Sequence, residues 1–271
     1  MIIVLIILGI VALLAGVLLL RACLLKPTEA AEARIAYEEP DRAQAYAEKL
    51  SRMIQQETVS SRFDEDKTKF YRFHEVLEEL FPQVFRTCEK HVFNGSLLLK
   101  WKEKGKSEPI LLMSHSDVVE ANGNWKEDPF GGKIQDGVIW GRGTVDTKGS
   151  LSCILNAVEE LIEEGYEPEG DVYIASSCTE EFSGEGAPLT VKYLKEQGVR
   201  LKLLVDEGGM ILEEPIGGVH GTYAMVGVLE KGYGDVKFTA KGKGGHASAP
   251  GRNTPIPRLA AFVNEIEKHN P

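Results

Sequence analysis

The chain opens with an uninterrupted apolar run. Residues 1–20 contain no charged side chain, and as an α-helix rising about 1.5 Å per residue they would cross a hydrocarbon core of roughly 30 Å. No Lys or Arg precedes the run, which argues against a cleaved secretory signal. We therefore predict a transmembrane anchor over residues 1–20. A cleaved signal and a lipoprotein signal ending at Cys23 are the less favoured alternatives, the second because Arg21 fits it poorly.

A polar segment follows this run. Residues 21–39 are rich in Ala and Glu and show no apolar face, so they predict a stalk or loosely helical linker. Arg21 and Lys26 stand directly after the apolar run. The positive-inside tendency, taken from these two charges, would keep that end of the span in the cytoplasm.

From residue 40 onward, stretches with helical spacing of apolar positions alternate with short strand-like runs. Helices are predicted over 41–57, 66–81, 151–164 and 189–197, and strands over 95–101, 109–119, 171–177 and 201–205. Pro82 is expected to stop the second helix. This order predicts an α/β domain over 40–220, built on a largely parallel sheet with helices on both faces.

The pattern changes near residue 221. Two strand-like runs, 224–229 and 234–240, precede a Gly-rich loop and a helical stretch at 255–268. We predict that residues 221–271 begin a second, α+β domain.

Composition narrows the choice of partner and fold. The 271 residues include 31 basic and 41 acidic side chains, a net charge of −10, which argues against nucleic acid or anionic lipid as a partner. The four cysteines are scattered without a CxxC pair, so neither a disulfide scaffold nor a zinc finger is expected. Cys153 and Cys178 are predicted to be small buried hydrophobes.

Histidine and acidic side chains follow three of the predicted strands and one Gly-rich turn. Each motif alone is commonly solvated or part of a turn, but the carboxyl ends of parallel strands meet at one edge of a sheet. Imidazole combined with carboxylates is a ligand set suited to zinc. The sequence therefore predicts a metal site from His115 and Asp117, Asp146, Glu180 and Glu181, and the pair Asp206 and Glu207.

Five motifs in this order resemble those of the co-catalytic zinc peptidases, a family that includes aminoacylase, carboxypeptidase S, glutamate carboxypeptidase and the N-fatty-acyl amino acid hydrolases. The N-terminal anchor is similar to the carboxypeptidase S branch. The motifs are HSDVV at 115–119, WGRGTVDTKG at 140–149, CTEEFSGEG at 178–186, VDEGG at 205–209 and GKGGHASAP at 242–250.

The resemblance implies a role for each residue around two zinc ions. His115 and Asp206 would bind the first zinc, Glu181 would bind the second, and Asp146 would bridge both. Glu180 would be the general base on a water held between the metals. Asp117 would orient His115.

The resemblance also implies that residues 221–271 begin a lid or dimerisation domain. His246 would reach an active site, often that of a partner subunit in a homodimer, and stabilise the oxyanion. The peptide bond between Asp146 and Thr147 is expected to be cis, and the resemblance favours an extracytoplasmic catalytic domain. The other histidines, His74, His91, His220 and His269, fall in no such pattern.

The resemblance further implies a last His ligand for the second zinc, supplied after the lid. The sequence stops at Pro271, inside the lid, so a fragment or a natural truncation is expected, with activity absent or severely impaired. The expected reaction is hydrolysis of an amide bond next to a free carboxylate, in a small peptide or an N-acyl amino acid. The alternative is an inactive binding protein or pseudoenzyme.

Overall fold

The computed structural model describes residues 2–24, 40–215, 217–218, 220–229, 232, 234, 236–246, 248 and 251–269. Most of the expected linker, from residue 25 to residue 39, lies outside the described residues. The chain forms two units, Met1–Glu207 and Gly208–Pro271. The sequence had placed a domain boundary after residue 220, and that division stays a prediction.

The first helix, α1, spans Ile2–Leu24. Among the described residues it is the one helix long and apolar enough to cross a membrane, with a mean hydropathy of 2.8 over Val4–Arg21 and none of that window buried. A signal sequence shares both properties. The helix predicted from the apolar run is thus present, and its role as an anchor stays a prediction.

Five strands of the first unit form its main sheet, in the order β1-β2-β6-β3-β7. β3 runs parallel to β6 and β7, whereas β2 runs antiparallel to both β1 and β6. The described residues of this unit form the strands β1 (Glu89–Phe93), β2 (Ser96–Trp101), β3 (Ile110–Met113), β4 (Lys133–Gln135), β5 (Val138–Trp140), β6 (Val172–Ser176) and β7 (Leu203–Val205). β4 and β5 form a separate hairpin.

The expectation of a largely parallel sheet is wrong, because the sheet is mixed. The missed strand is β1, which joins β2 through the two-residue turn Asn94-Gly95. Both turn residues have positive φ, 47° and 89°, the backbone that suits an Asn-Gly hairpin turn. Two of the four pairings in this sheet are antiparallel, because β2 runs against both β1 and β6.

The helices follow the predicted positions closely. The second predicted helix, α3, ends at Leu80, before Pro82, as predicted. Pro82 then occupies the first turn of the short helix α4, where its missing N–H has no helical partner to lose. The remaining helices of this unit are α2 (Pro40–Ile54), α3 (Thr68–Leu80), α4 (Pro82–Thr87), α5 (Lys148–Glu163) and α6 (Gly186–Glu196).

Helices cover both faces of the sheet, as predicted. Alternate side chains of a strand point to opposite faces, so Leu97 and Leu99 of β2 join one core and Leu98 the other. The first core packs the sheet against α2, α3, α4 and α5, and the second packs it against α6 through Leu194. These two cores hold the carboxyl ends of β3 and β6 in place.

Of the two cysteine predictions, one is confirmed and one is wrong. Cys178 is fully buried, as expected, whereas Cys153 is exposed. On α5 the buried face carries Leu151 and Leu155. Cys153 is two positions from each of them, and in a helix with 3.6 residues per turn two positions correspond to a rotation of about 200°, which places Cys153 on the opposite face. The prediction of a buried Cys153 is therefore wrong.

The second unit contains strands β8 (Met210–Glu213) and β9 (Thr222–Met225), paired antiparallel, and helix α7 (Pro255–Lys268). The helix has the predicted bounds. The strand expected at 224–229 lies earlier, as β9, and the described part of 234–240 is not in a strand.

Candidate metal centre

His115 lies in the loop that continues β3 at the carboxyl edge of the sheet. The hydrogen-bond ladder extends past the strand, because the Ser114 N–H donates to Ala175 O at 3.1 Å and the Ser116 N–H donates to Ser177 O at 2.7 Å. The His115 side chain between them is 2% exposed. The sheet thus fixes the imidazole where a ligand at this edge would meet it.

The two ring nitrogens of His115 face different partners. Nδ1 lies 2.9 Å from the backbone oxygen of Asp117 and 3.5 Å from its carboxylate Oδ1. Nε2 lies 2.9 Å from Asp146 Oδ1, 3.4 Å from Glu207 Oε1 and 3.8 Å from Glu180 Oε2. Asp117 therefore orients the ring, as expected for a metal-binding His, and directs Nε2 at three carboxylates.

Asp117 also connects this loop to the one that follows β6. Its fully buried carboxylate accepts hydrogen bonds from the Glu180 N–H and the Glu181 N–H, both at 3.1 Å, and from Ser60 Oγ at 2.6 Å. Sequence reasoning assigned Asp117 to His115 alone. The contacts to Glu180 and Glu181 join two distant segments, which no local pattern reports.

Asp146 stands in the Gly-rich turn before α5, and its side chain is 68% exposed. Gly143 in this turn has φ of 87°, and a Cβ there would lie 2.8 Å from Val118 Cγ1, so the turn requires glycine. Ser114 Oγ donates to the carbonyl of Thr147 at 2.9 Å and holds the turn against the His115 loop. The peptide bond between Asp146 and Thr147 is cis, as predicted.

The electrostatics of the site favour a bound cation. Burial raises the pKa of Glu180, Glu181 and Glu207, and the charges of neighbouring carboxylates raise it further in each case. Burial acts to lower the pKa of His115. The hydrogen bond to Asp117 and the charges of Asp117 and Glu207 outweigh this effect, so the pKa of His115 is raised to about 10. Crowded carboxylates around one imidazole are relieved when a divalent cation binds among them.

One group of described residues meets the geometry of a metal site. His115, Asp146 and Glu207 each offer a ligand atom, and these atoms lie within 4.8 Å of one another. One nitrogen and two carboxylate oxygens form a set that zinc uses. Two of the three ligands expected for the first zinc, His115 and Asp146, are brought together.

The third member of this group is Glu207 rather than Asp206. The Asp206 side chain is exposed, and its Oδ1 accepts a hydrogen bond from the Glu207 N–H at 2.9 Å. The sequence signal was the adjacent acid pair at the end of β7. Neighbouring residues on an extended chain point to opposite sides, and the pattern alone did not tell which one faces His115.

The other predicted site residues lie as follows. Glu181 is partly buried after β6 and close enough for the charge of Asp146 to raise its pKa. His246 belongs to the second unit, where it is exposed and its Nδ1 lies 2.7 Å from Ser248 Oγ. The predicted roles of Glu181 as a ligand of the second zinc and of His246 in stabilising the oxyanion stay predictions.

The sequence of this chain matches a known family over more than half its length. The family model described as Peptidase family M20/M25/M40 matches residues 111–267. The chain belongs to peptidase family M20. The resemblance drawn from the five motifs is thereby confirmed.

Curated M20 relatives are similar along most of this chain. A probable carboxypeptidase S-like 2 from Dictyostelium discoideum is 36% identical over 236 residues, covering 83% of this chain and 46% of the relative. The N-fatty-acyl-amino acid synthase/hydrolase PM20D1 from Mus musculus is 38% identical over 231 residues, with the same two coverages of 83% and 46%. The chain thus spans about half the length of the curated relatives it matches.

Solved M20 structures share the fold. An M20 family metallo-carboxypeptidase from Sulfolobus solfataricus superimposes with a TM-score of 0.51 at 18% identity, over 62% of this chain and 40% of that one. The di-peptidase Dug1p from Saccharomyces cerevisiae gives 0.51 at 21% identity, over 64% of this chain and 40% of that one.

Proposed function

We propose that this chain supplies the metal-binding part of a zinc-dependent M20 hydrolase that cleaves amide bonds in small peptides or N-acyl amino acids. The observation that carries the proposal is the convergence of Asp146 and Glu207 on the Nε2 of His115, with the Glu180 carboxylate 3.8 Å from the same nitrogen. Names of the relatives, carboxypeptidase S-like and N-fatty-acyl-amino acid hydrolase, support the two substrate classes.

The donor set fits two zinc ions that share Asp146. His115 and Glu207 would complete the first site with Asp146, with Asp206 as the alternative third ligand from the family resemblance. Glu181 would hold the second ion. When bound, such ions lower the pKa of a water molecule and polarise the carbonyl of the substrate.

Glu180 is the side chain we assign as general base. It lies beside the ligand group without belonging to it, and its backbone N–H is fixed by Asp117. From this place its carboxylate would take a proton from the attacking water and pass it to the leaving amine. Asp117 positions both His115 and Glu180 without touching the substrate.

The second unit is proposed to be the start of a lid or dimerisation domain. By analogy with the family, His246 would stabilise the oxyanion that develops on the substrate carbonyl, and in a homodimer it would do so in the active site of the partner subunit. We further propose that α1 anchors the protein as a single span, with the catalytic part on the extracytoplasmic side. Its exposed apolar surface supports the span.

A metal-binding protein without turnover is the competing function. Within the part of the chain that the structure describes, one group of three such ligands is found. One such group is enough to bind a single cation, which is the arrangement that this alternative requires.

The deciding experiment combines metal analysis with one substitution. Glu180→Gln, made in a full-length protein of the length of the M20 relatives, should keep the zinc content of the wild type and lose at least roughly a hundredfold in hydrolysis of dipeptides and N-acyl amino acids. Glu185→Gln is the matched control, because Glu185 is a nearby acid that bonds Asn94 instead of facing His115.

The outcomes separate the two functions. Two zinc ions per chain with turnover that depends on Glu180 support the hydrolase, and one ion without turnover supports the binding protein. Wild-type protein that takes up no zinc would contradict both.

A further inference from the structure

The first residue of α5, next to the candidate metal centre, is a fully buried lysine. Lys148 has no exposed surface and is among the largest fully buried side chains of the described chain. It stands two residues after Asp146. A cation is disfavoured at the N-terminus of a helix, where the helix dipole is positive, and burying an ammonium costs free energy that an apolar side chain of similar size would not.

The contacts of Lys148 show what the ammonium holds. Nζ donates to the backbone oxygens of Met53 at 3.1 Å and Gln56 at 2.6 Å, at the C-terminal end of α2. The last carbonyls of a helix lack helical partners and attract cations. The ring of Phe73 lies 5.0 Å from Nζ and adds a cation–π contact.

The segment that begins at Gln56 leads directly to the metal centre. Thr58 Oγ1 donates to the backbone oxygen of Ser116 at 2.6 Å, and the Val118 N–H donates to Thr58 O at 3.1 Å. The Ser60 N–H then donates to Val118 O at 3.0 Å, and Ser60 Oγ donates to Asp117 at 2.6 Å. This segment, 56–60, therefore braces the loop that carries His115.

We propose that Lys148 is a positioning residue that connects the Asp146 turn to segment 56–60. Through this connection it fixes the position of Asp146 relative to the loop that carries His115 and Asp117. The inference rests on the proposed function. One side of the metal centre is Asp146, two residues away along the chain, and the other is Asp117 with His115. Nζ of Lys148 joins them through the carbonyls of Met53 and Gln56, two contacts that an apolar side chain does not make.

The test compares Lys148→Met with the wild type in the full chain, purified in detergent micelles. Methionine keeps most of the apolar stem and removes the three donors. The Ser60 and Val118 amides should exchange with deuterium at least about tenfold faster in the variant, while amides within β2 and β6 keep their rates. Co²⁺ should bind about tenfold more weakly, the lower range for loss of an outer support of a metal site.

Leu155→Ala is the control, since Leu155 is also fully buried on α5 but belongs to the apolar core. It should lower the melting temperature and speed exchange at Ser60, Val118, β2 and β6 alike. If Lys148→Met fails to fold, Lys148→Gln, which retains a shorter neutral donor, carries the same comparison.

Exchange at Ser60 and Val118 that is unchanged, or that rises only in proportion to β2 and β6, would overturn the inference. Wild-type protein that binds no Co²⁺ would instead overturn the proposed function. The amide comparison is made without metal and stands in either case.

Discussion

At the scale of single residues, the centre depends on how carboxylates are distributed around the Nε2 of one imidazole. Asp146 and Glu207 lie within 3.4 Å of it. Asp206 and Glu207 are neighbours on the chain just after β7, and the Glu207 carboxylate is the one that lies 3.4 Å from His115. Glu207 belongs to the group of three possible ligands, whereas the family resemblance implies Asp206, so the choice between them stays a prediction.

These two acids give a matched pair of variants. Glu207→Gln should weaken Zn²⁺ binding by more than the roughly 10- to 100-fold that is typical when an outer partner of a ligand is lost, because it removes a charged donor. Asp206→Asn should cause a much smaller loss. Isothermal titration of both variants measures the difference, and the reverse order of affinities would make Asp206 the ligand.

At the scale of elements, the helices that support the sheet carry polar groups in their buried faces. His74 of α3 is 3% exposed. Burial lowers its pKa to about 4, and the positive charge of Lys90 acts in the same direction. The folded state therefore holds this imidazole neutral.

The sign of the pH effect follows from that shift. The folded pKa, about 4, lies below the ordinary value of 6.5, so between these values the unfolded chain binds a proton that the folded chain does not. The stabilisation is present above pH 6.5 and is lost as pH falls towards 4, by about 2–3 kcal/mol.

His74→Gln should remove this dependence. Urea unfolding between pH 7 and pH 4, in chelator, should show the wild type losing about 2–3 kcal/mol more than the variant. His269→Gln, on the exposed end of α7, is the control and should parallel the wild type. Equal losses in the wild type and His74→Gln would contradict the buried neutral imidazole.

At the scale of the whole molecule, the chain combines an exposed apolar helix with a mixed α/β unit and a second unit whose described residues include β8, β9 and α7. The M20 fold is shared with structures that are 18% and 21% identical. Relatives of twice this length carry the names of peptidases and acyl-amino acid hydrolases. The membrane role of α1 is the part of this organisation open to a direct physical test.

Deleting residues 1–24 should move the protein from the detergent-rich phase to the aqueous phase in a cloud-point partition. The apolar window Val4–Arg21 is unburied in the described structure and would be covered by detergent in the full chain. Leu13→Arg should weaken the partition, since an arginine at a helix centre costs about 2.5–3.5 kcal/mol in a membrane. Full-length protein that stays in the aqueous phase would argue against an anchor.

The sequence by itself determined what local pattern controls. Apolar spacing located α2, α3, α5, α6 and α7, because a helix is periodic over a few residues and buries one face. The order of the motifs identified the family. The strand ends predicted that His115 and Glu180 lie near each other, because parallel strands collect their carboxyl ends at one edge, and the Gly-rich turn added Asp146.

Only the tertiary structure decided what depends on partners far apart in the chain. The antiparallel pairing of β2 with β6 made the sheet mixed, and the convergence of loops brought Glu207 to His115. Asp117 bonds the backbone of Glu180 across the sheet edge, and Lys148 bonds carbonyls of α2. Such contacts arise when cores pack elements side by side, and the spacing of residues along one element carries no record of them.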